Sequence, residues 1–135
     1  MLRMFSVLAL AGFAMPATAL DLEVSVLPCS GPGGYAGVDV EADLPGGASF
    51  SGVTNALGRV EVTNAVDFGN PIDIETLTVR FEGATGVWYP FTVTVEYDSS
   101  LGDYVVTNVQ ANASSPSICS ATGSGDQVQI RTSDH

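Results

Sequence analysis

The stretch that decides the fold is Val87-Trp88-Tyr89-Pro90-Phe91-Thr92-Val93-Thr94-Val95-Glu96-Tyr97. Its side chains alternate along most of its length, and a period of two is typical of a strand with one buried face. The pattern predicts an inward-facing set made of Val87, Tyr89, Phe91, Val93, Val95 and Tyr97. Trp88 falls on the opposite face. Because proline has no N–H to donate, Pro90 predicts a strand that lies at a sheet edge or starts its pairing after that residue.

Similar segments recur on both sides of this stretch, separated by turn residues. Strands are predicted at 20–26, 38–44, 48–54, 59–63, 72–82, 104–109 and 128–131. Within 72–82 the apolar phase slips by one residue, which predicts a bulge or a break near Glu75 or Thr76. The stretch 111–125 is rich in Ser, Ala and Gly, and the residues after 131 are predicted to form a loose C-terminal tail.

No helical period is visible after residue 19. Short strands at near-regular spacing predict an all-β fold, an antiparallel Ig-like or prealbumin-like sandwich of about seven strands. An up-and-down barrel is the alternative arrangement of such strands.

Cys29 and Cys119 are the only two cysteines of the chain. We predict that they form a disulfide, because neither has a cysteine or histidine nearby that would support a redox or metal site. The bridge would close a loop of 90 positions, which the chain-entropy account credits with about 4.5 kcal/mol of stability.

The first nineteen residues predict export. Arg3 gives a short positive region, residues 5–14 form an apolar run, and Ala17-Thr18-Ala19 matches the small-x-small pattern that signal peptidases cleave. We therefore expect a signal peptide at 1–19 and a single β-sandwich domain at 20–135, in a secreted or periplasmic setting where disulfides persist. A leader kept as a membrane anchor is the alternative; after cleavage no membrane span is predicted.

The charge balance is strongly acidic, with 15 Asp and Glu against four Lys and Arg, all four of them arginine. Such a surface repels phosphate backbones, so nucleic acid is not expected as a partner. It suits a basic protein partner or divalent cations, or it serves solubility alone.

Two motifs resemble the carboxypeptidase regulatory-like (transthyretin-like, or prealbumin-like) sandwich domains. They are Gly37-Val38-Asp39-Val40 and the hairpin Thr54-Asn55-Ala56-Leu57-Gly58-Arg59-Val60-Glu61-Val62, within a region from Leu22 to Glu82. That family has Asp where this chain has Asn55, and commonly a polar turn residue where it has Leu57. The resemblance implies a non-catalytic module and carries no catalytic residue over.

Catalysis is not expected from the residue inventory. The only histidine is His135, and there is no lysine to activate a nucleophile. Carboxylates are numerous, but Asp39, Glu41 and Asp43 alternate as a solvated strand face; a hydrolase based on a carboxylate pair is the least favoured hypothesis.

Two candidate contact sites remain. Trp88 is a candidate exposed anchor for a ligand or partner. Asp98 and Asp103, with Glu96 nearby, are a candidate calcium site in a hairpin loop, and calcium is the only cofactor considered. We therefore expect a secreted or periplasmic, non-catalytic module that binds a protein partner of the envelope or extracellular space through a sheet edge or an exposed aromatic residue. The alternative is a carbohydrate- or calcium-binding accessory domain.

Overall fold

The computed structural model describes residues 19–67 and 74–135, and these form nine β-strands and one turn of 3₁₀ helix, Pro45–Gly47. The strands are β1 (Ala19–Pro28), β2 (Asp39–Asp43), β3 (Ser49–Val53), β4 (Arg59–Asp67), β5 (Ile74–Glu82), β6 (Trp88–Asp98), β7 (Asp103–Ala111), β8 (Ile118–Ser124) and β9 (Gln127–Thr132). Across these ranges no helix is long and apolar enough to cross a membrane. The predicted leader lies outside the described residues up to Thr18.

The strands form two sheets that pack face to face. One sheet has the order β4-β1-β9-β8 and the other the order β3-β2-β5-β6-β7. The predicted all-β sandwich is therefore confirmed, with two differences in detail. The described ranges hold nine strands rather than about seven, in part because 118–124 pairs as a strand despite its small residues. In addition, β1 and β9 run parallel, while the other named pairs are antiparallel.

The core lies between the two sheets and consists of the inward positions of the alternating strands. The fully buried side chains of β6 are Phe91, Val93 and Val95. Phe81 of β5 stacks on Phe91, with 6.1 Å between ring centroids. Burying such side chains contributes about 1.5–3 kcal/mol each. The predicted inward set is wrong at its two ends, because Val87 and Tyr97 lie where the sandwich opens to solvent.

The expected bulge near Glu75 or Thr76 does not occur. β5 pairs with β6 without a register shift from Ile74 opposite Glu96 to Glu82 opposite Trp88. The strand keeps the phase of Leu77, Val79 and Phe81 buried, and Ile74 is left 54% exposed instead. The one-residue slip in the apolar pattern is thus accommodated by exposing Ile74 and not by a bulge. Ile72 lies outside the described residues.

Pro90 lies in a central strand, because β6 pairs with both β5 and β7. Of the two predicted alternatives, the edge strand is therefore wrong, and pairing with β5 includes Pro90 itself, opposite Arg80. Pairing with β7 does start after the proline, at Phe91 opposite Ala111. The N–H of Asn112 donates to the Pro90 carbonyl (3.0 Å), so the backbone of Pro90 faces the β7 side just where that strand ends. The missing N–H consequently interrupts no ladder bond.

The turn between β3 and β4 is stabilised by the residue types at its two ends, Asn55 and Gly58. The Asn55 side chain accepts hydrogen bonds from the N–H groups of Leu57 (2.9 Å) and Arg59 (3.1 Å). Gly58 has φ +79°, and a Cβ there would overlap the backbone of Gly34. Only glycine meets both requirements without strain.

Candidate binding groove beside Trp88

Trp88 is the first residue of β6 and lies opposite Glu82 of β5. Its side chain is 36% exposed, on the face predicted from the alternation. An indole with one exposed face is a common contact in interfaces, since it offers a large apolar area with few rotatable bonds.

A groove of about 380 Å³ runs beside this tryptophan. Residues 87–91 line it from the start of β6, and Ala111, residues 113–115 and Ile118 line it from the other side. None of these described lining residues is charged, although the chain as a whole is strongly acidic. The groove therefore suits an apolar group.

The groove draws on both sheets: on the side facing β6, Ala111 ends β7 of the five-stranded sheet, residues 113–115 lie in the β7–β8 connection, and Ile118 comes from the four-stranded sheet. Residues 88–91 are part of the five-stranded sheet, while Ile118 begins β8 of the four-stranded sheet. The shape of the groove therefore depends on how the two sheets are held together at this end.

The predicted disulfide is present at this end. Cys29, just after β1, is bonded to Cys119 of β8, with 5.6 Å between their Cα atoms. Both strands flank β9, so the bridge spans the end of that strand and fixes the start of β8 next to Ile118. No free cysteine occurs in 19–67 or 74–135. A disulfide of this kind suggests an oxidising setting outside the cytoplasm.

Residues 132–135, which we name the C-terminal clasp, are fastened to the same end, so the expectation of a loose tail is wrong. The N–H of Ser133 (2.9 Å) and the hydroxyl of Thr132 (3.0 Å) donate to the carbonyl of Ser117. The His135 ring lies 4.6 Å from that of Tyr35, measured between centroids.

Asp134 is the centre of the clasp and is only 9% exposed. Its carboxylate accepts hydrogen bonds from the Thr85 hydroxyl (2.5 Å), the Tyr89 hydroxyl (2.5 Å) and the Thr85 N–H (3.2 Å). The hydrogen bonds from Thr85 and then from Tyr89 lower the pKa of this carboxyl below its ordinary value. Gly83 leaves room for it, since a Cβ at that position would overlap the Asp134 carboxyl group.

The calcium candidate is not assembled as a site. Asp98 accepts hydrogen bonds from the N–H (2.9 Å) and the hydroxyl (2.5 Å) of Ser100, and Asp103 accepts one from the N–H of Tyr104 (2.8 Å). Glu96 pairs across the strands with Val105. Throughout the part of the chain that the structure describes, no group of three or more His, Cys, Asp or Glu is arranged to hold a metal ion. The two aspartates instead shape a hairpin turn, because each accepts hydrogen bonds from a nearby residue: Asp98 from Ser100 and Asp103 from Tyr104.

A second groove, of about 620 Å³, lies at the far end of β6. Its lining includes four carboxylates, Asp21, Glu61, Asp103 and Asp126. Asp21 is engaged by the N–H of Asn64 at 3.0 Å, where β4 bulges.

The chain matches no family model, no curated protein and no solved structure. The resemblance to carboxypeptidase regulatory-like domains therefore stays a prediction.

Sequence reasoning found Trp88 but missed its surroundings. Asp134 gave no local signal, because its partners lie 45 and 49 positions away. Ile118 lies in the stretch 111–125, where the sequence shows only a richness in Ser, Ala and Gly and predicts no strand. The one available hint was Cys119, which ties the neighbouring residue to the end of β1.

Proposed function

We propose that this chain is an exported, non-catalytic binding module that holds an apolar side chain of a cationic protein partner in the groove beside Trp88. The observation that carries the proposal is the uncharged groove bordered by an exposed tryptophan on an otherwise acidic domain. Interface centres are typically poor in charged residues and rich in aromatic ones.

The sheet edges favour the groove over strand addition. In the described part of the chain, β3 is only five residues long. The other outer strands, β4, β7 and β8, each contain a register shift in their pairing. Short or bulged edges hinder the addition of a foreign strand. Of the two binding modes that the sequence left open, contact through the exposed aromatic residue is therefore better supported.

The charge distribution favours a basic partner. Within 19–67 and 74–135, the only ion pairs join Arg80 to Glu41 (2.9 Å) and to Asp43 (2.8 Å). The other carboxylates of these ranges form no ion pair, and the excess of negative charge creates a negative field around the neutral groove. Such a field speeds the approach of a cationic partner and discriminates against acidic ones.

Export is part of the proposal. It is supported by the leader pattern at 1–19 and by the Cys29–Cys119 bridge, which is stable where thiols are oxidised. The carbohydrate alternative has weaker support, because the hydroxyl of the neighbouring Tyr89 is engaged by Asp134 and Trp88 is the one aromatic residue on its face of β6.

The test uses residues 20–135 immobilised and exposed to an envelope extract of the producing cells. We compare the unchanged chain with Trp88→Ala and with Tyr97→Ala. Tyr97 is a matched control, because it is 37% exposed near the other end of the same strand. The expected result is a basic protein that is retained by the unchanged chain and by Tyr97→Ala, lost with Trp88→Ala, and released by high salt.

The purified partner then provides a direct signal, because Trp88 is the only tryptophan of the chain. Its emission should shift to the blue as the partner covers the indole. Equal retention by Trp88→Ala would overturn the proposal. Retention of the chain on a polysaccharide matrix, abolished by Trp88→Ala, would replace it with the carbohydrate alternative.

A further inference from the structure

The groove beside Trp88 needs a separate attachment at Ile118, because the bond from the N–H of Asn112 to the Pro90 carbonyl (3.0 Å) lies at the other end of the wall that contains Ile118. One wall is formed by the start of β6 and the other by Ala111, residues 113–115 and Ile118, of which Ile118 belongs to the opposite sheet. Sheets that face each other through apolar side chains are held by non-directional contacts. Directional bonds near Ile118 are therefore needed to fix the width of the groove there.

The C-terminal clasp supplies such bonds on both sides. Towards one wall, Ser133 and Thr132 donate at 2.9 and 3.0 Å to the carbonyl of Ser117, which precedes the lining residue Ile118. Towards the other wall, Asp134 accepts from the Tyr89 hydroxyl at 2.5 Å, and Tyr89 itself lines the groove. Three consecutive residues thus connect the two walls.

The position of Asp134 is fixed by several hydrogen bonds. The Asp134 N–H donates to the Thr132 hydroxyl at 3.0 Å, and this bond within the clasp orients Asp134 relative to Thr132. The Thr85 hydroxyl and N–H hold the same carboxylate from the β5–β6 turn. Hydrogen bonds to an ionised, nearly buried acceptor are stronger and shorter than neutral ones.

We infer that Asp134 is a positioning residue, which sets the width of the Trp88 groove by joining Tyr89 and the β5–β6 turn to Ser117, the residue next to the lining residue Ile118. The inference rests on the proposed function for its biological meaning, since the groove is the proposed contact surface. Its structural content is independent of any partner, because it concerns only how the two walls are held.

The first test measures quenching of Trp88 fluorescence by acrylamide, a small neutral probe, well below the unfolding temperature. Loss of the clasp in Asp134→Ala should raise the quenching constant up to about twofold, because the indole is already one-third exposed and local opening frees the rest. Gly83→Ala should act in the same direction, since its methyl group displaces the carboxyl group.

The matched control is Asp98→Ala. Asp98 also accepts hydrogen bonds from an N–H and a hydroxyl, but at the other end of β6. Its quenching constant should equal that of the unchanged chain, whereas a general loosening of the domain would raise both. Asp134→Asn should restore most of the protection, because the amide oxygen still accepts from Tyr89.

A second test separates this inference from the proposed function by measuring affinity for the purified partner. Weaker binding by Asp134→Ala, with recovery in Asp134→Asn, would support the inference. Unchanged quenching and unchanged binding in Asp134→Ala would overturn the inference while leaving the proposed function standing. Unchanged binding in Trp88→Ala would overturn the proposed function, and the quenching result would still decide whether Asp134 positions the groove.

Discussion

An aspartate accepts hydrogen bonds near each end of strand β6, but the two aspartates bind partners at very different distances along the sequence. Trp88 begins the strand beside an uncharged groove of about 380 Å³, and Asp98 ends it beside an acidic groove of about 620 Å³. At each end an aspartate accepts a hydroxyl and an N–H. The partners of Asp134 lie 45 and 49 positions away, whereas the partner of Asp98 lies two positions away.

This difference in sequence separation decides what each aspartate can do. Asp98 orders a turn that the chain would visit in any case, and such side chain–backbone bonds are a local property. Asp134 joins segments that meet only in the folded domain. A carboxylate that connects distant segments shapes a surface, whereas one that closes a turn shapes only that turn.

The largest expected effect comes from removing the bridge at the Trp88 end. The double variant Cys29→Ser, Cys119→Ser should lose about 4 kcal/mol of unfolding free energy, because its unfolded chain regains the entropy of a long loop. Urea unfolding measures the loss. Amide exchange should accelerate in β8 well before it does in the Asp98 hairpin, and equal acceleration at both ends would contradict the comparison.

The second-largest effect is expected at low pH, where Asp134 and Asp98 both lose their contribution to stability. The folded-state pKa values of Asp134 and Asp98 are both lowered by hydrogen bonds, from Thr85 and from Ser100 respectively. Each carboxylate therefore stabilises the fold fully above the ordinary carboxyl pKa, and this stability is lost as the pH falls through the lowered value.

Unfolding experiments at a series of pH values should show a weaker dependence on acid in both Asp134→Asn and Asp98→Asn. Only the first substitution should also remove the acid-induced change in Trp88 emission that precedes global unfolding. If Asp98→Asn removed that change as well, the two ends would not be independent.

The smallest effect is expected between the two ends, at Arg80 on the outer face of β5. Arg80→Gln breaks the ion pairs with Glu41 and Asp43, whose side chains are 39% and 63% exposed. Pairs exposed to this degree contribute about 0.5 kcal/mol, and less in high salt. Thermal unfolding at low and high salt checks this, and a loss as large as that of the disulfide variant would contradict it.

Much of the fold could be predicted because alternation is a local signal. The period of two in β2 and β6 gave the correct faces, and Asn55 and Gly58 gave the correct turn. β8 could not be predicted from 118–124, because its small side chains carry no alternating pattern. That segment is a strand because β9 and the Cys29 bridge hold it in place.

The candidate groove was predictable only in part, for the same reason. Alternation placed Trp88 outward, which its exposure confirms. The opposite wall and the clasp depend on contacts between residues far apart in sequence, such as Asp134 with Tyr89. The carboxylates of the Asp98 hairpin are visible in the sequence, but the hydrogen bond from Ser100 to Asp98 is a detail of the folded turn.

The parallel pairing of β1 with β9 has a consequence for the order in which the chain can fold. Strand β1 lies between β4 and β9 in the four-stranded sheet. This sheet therefore cannot be completed until β9, which ends at residue 132, is available. Such pairing gives the fold a high contact order, which slows folding. If the chain is exported as proposed and threaded from its N-terminus, β1 leaves the pore before β9, so the four-stranded sheet forms only after the passage.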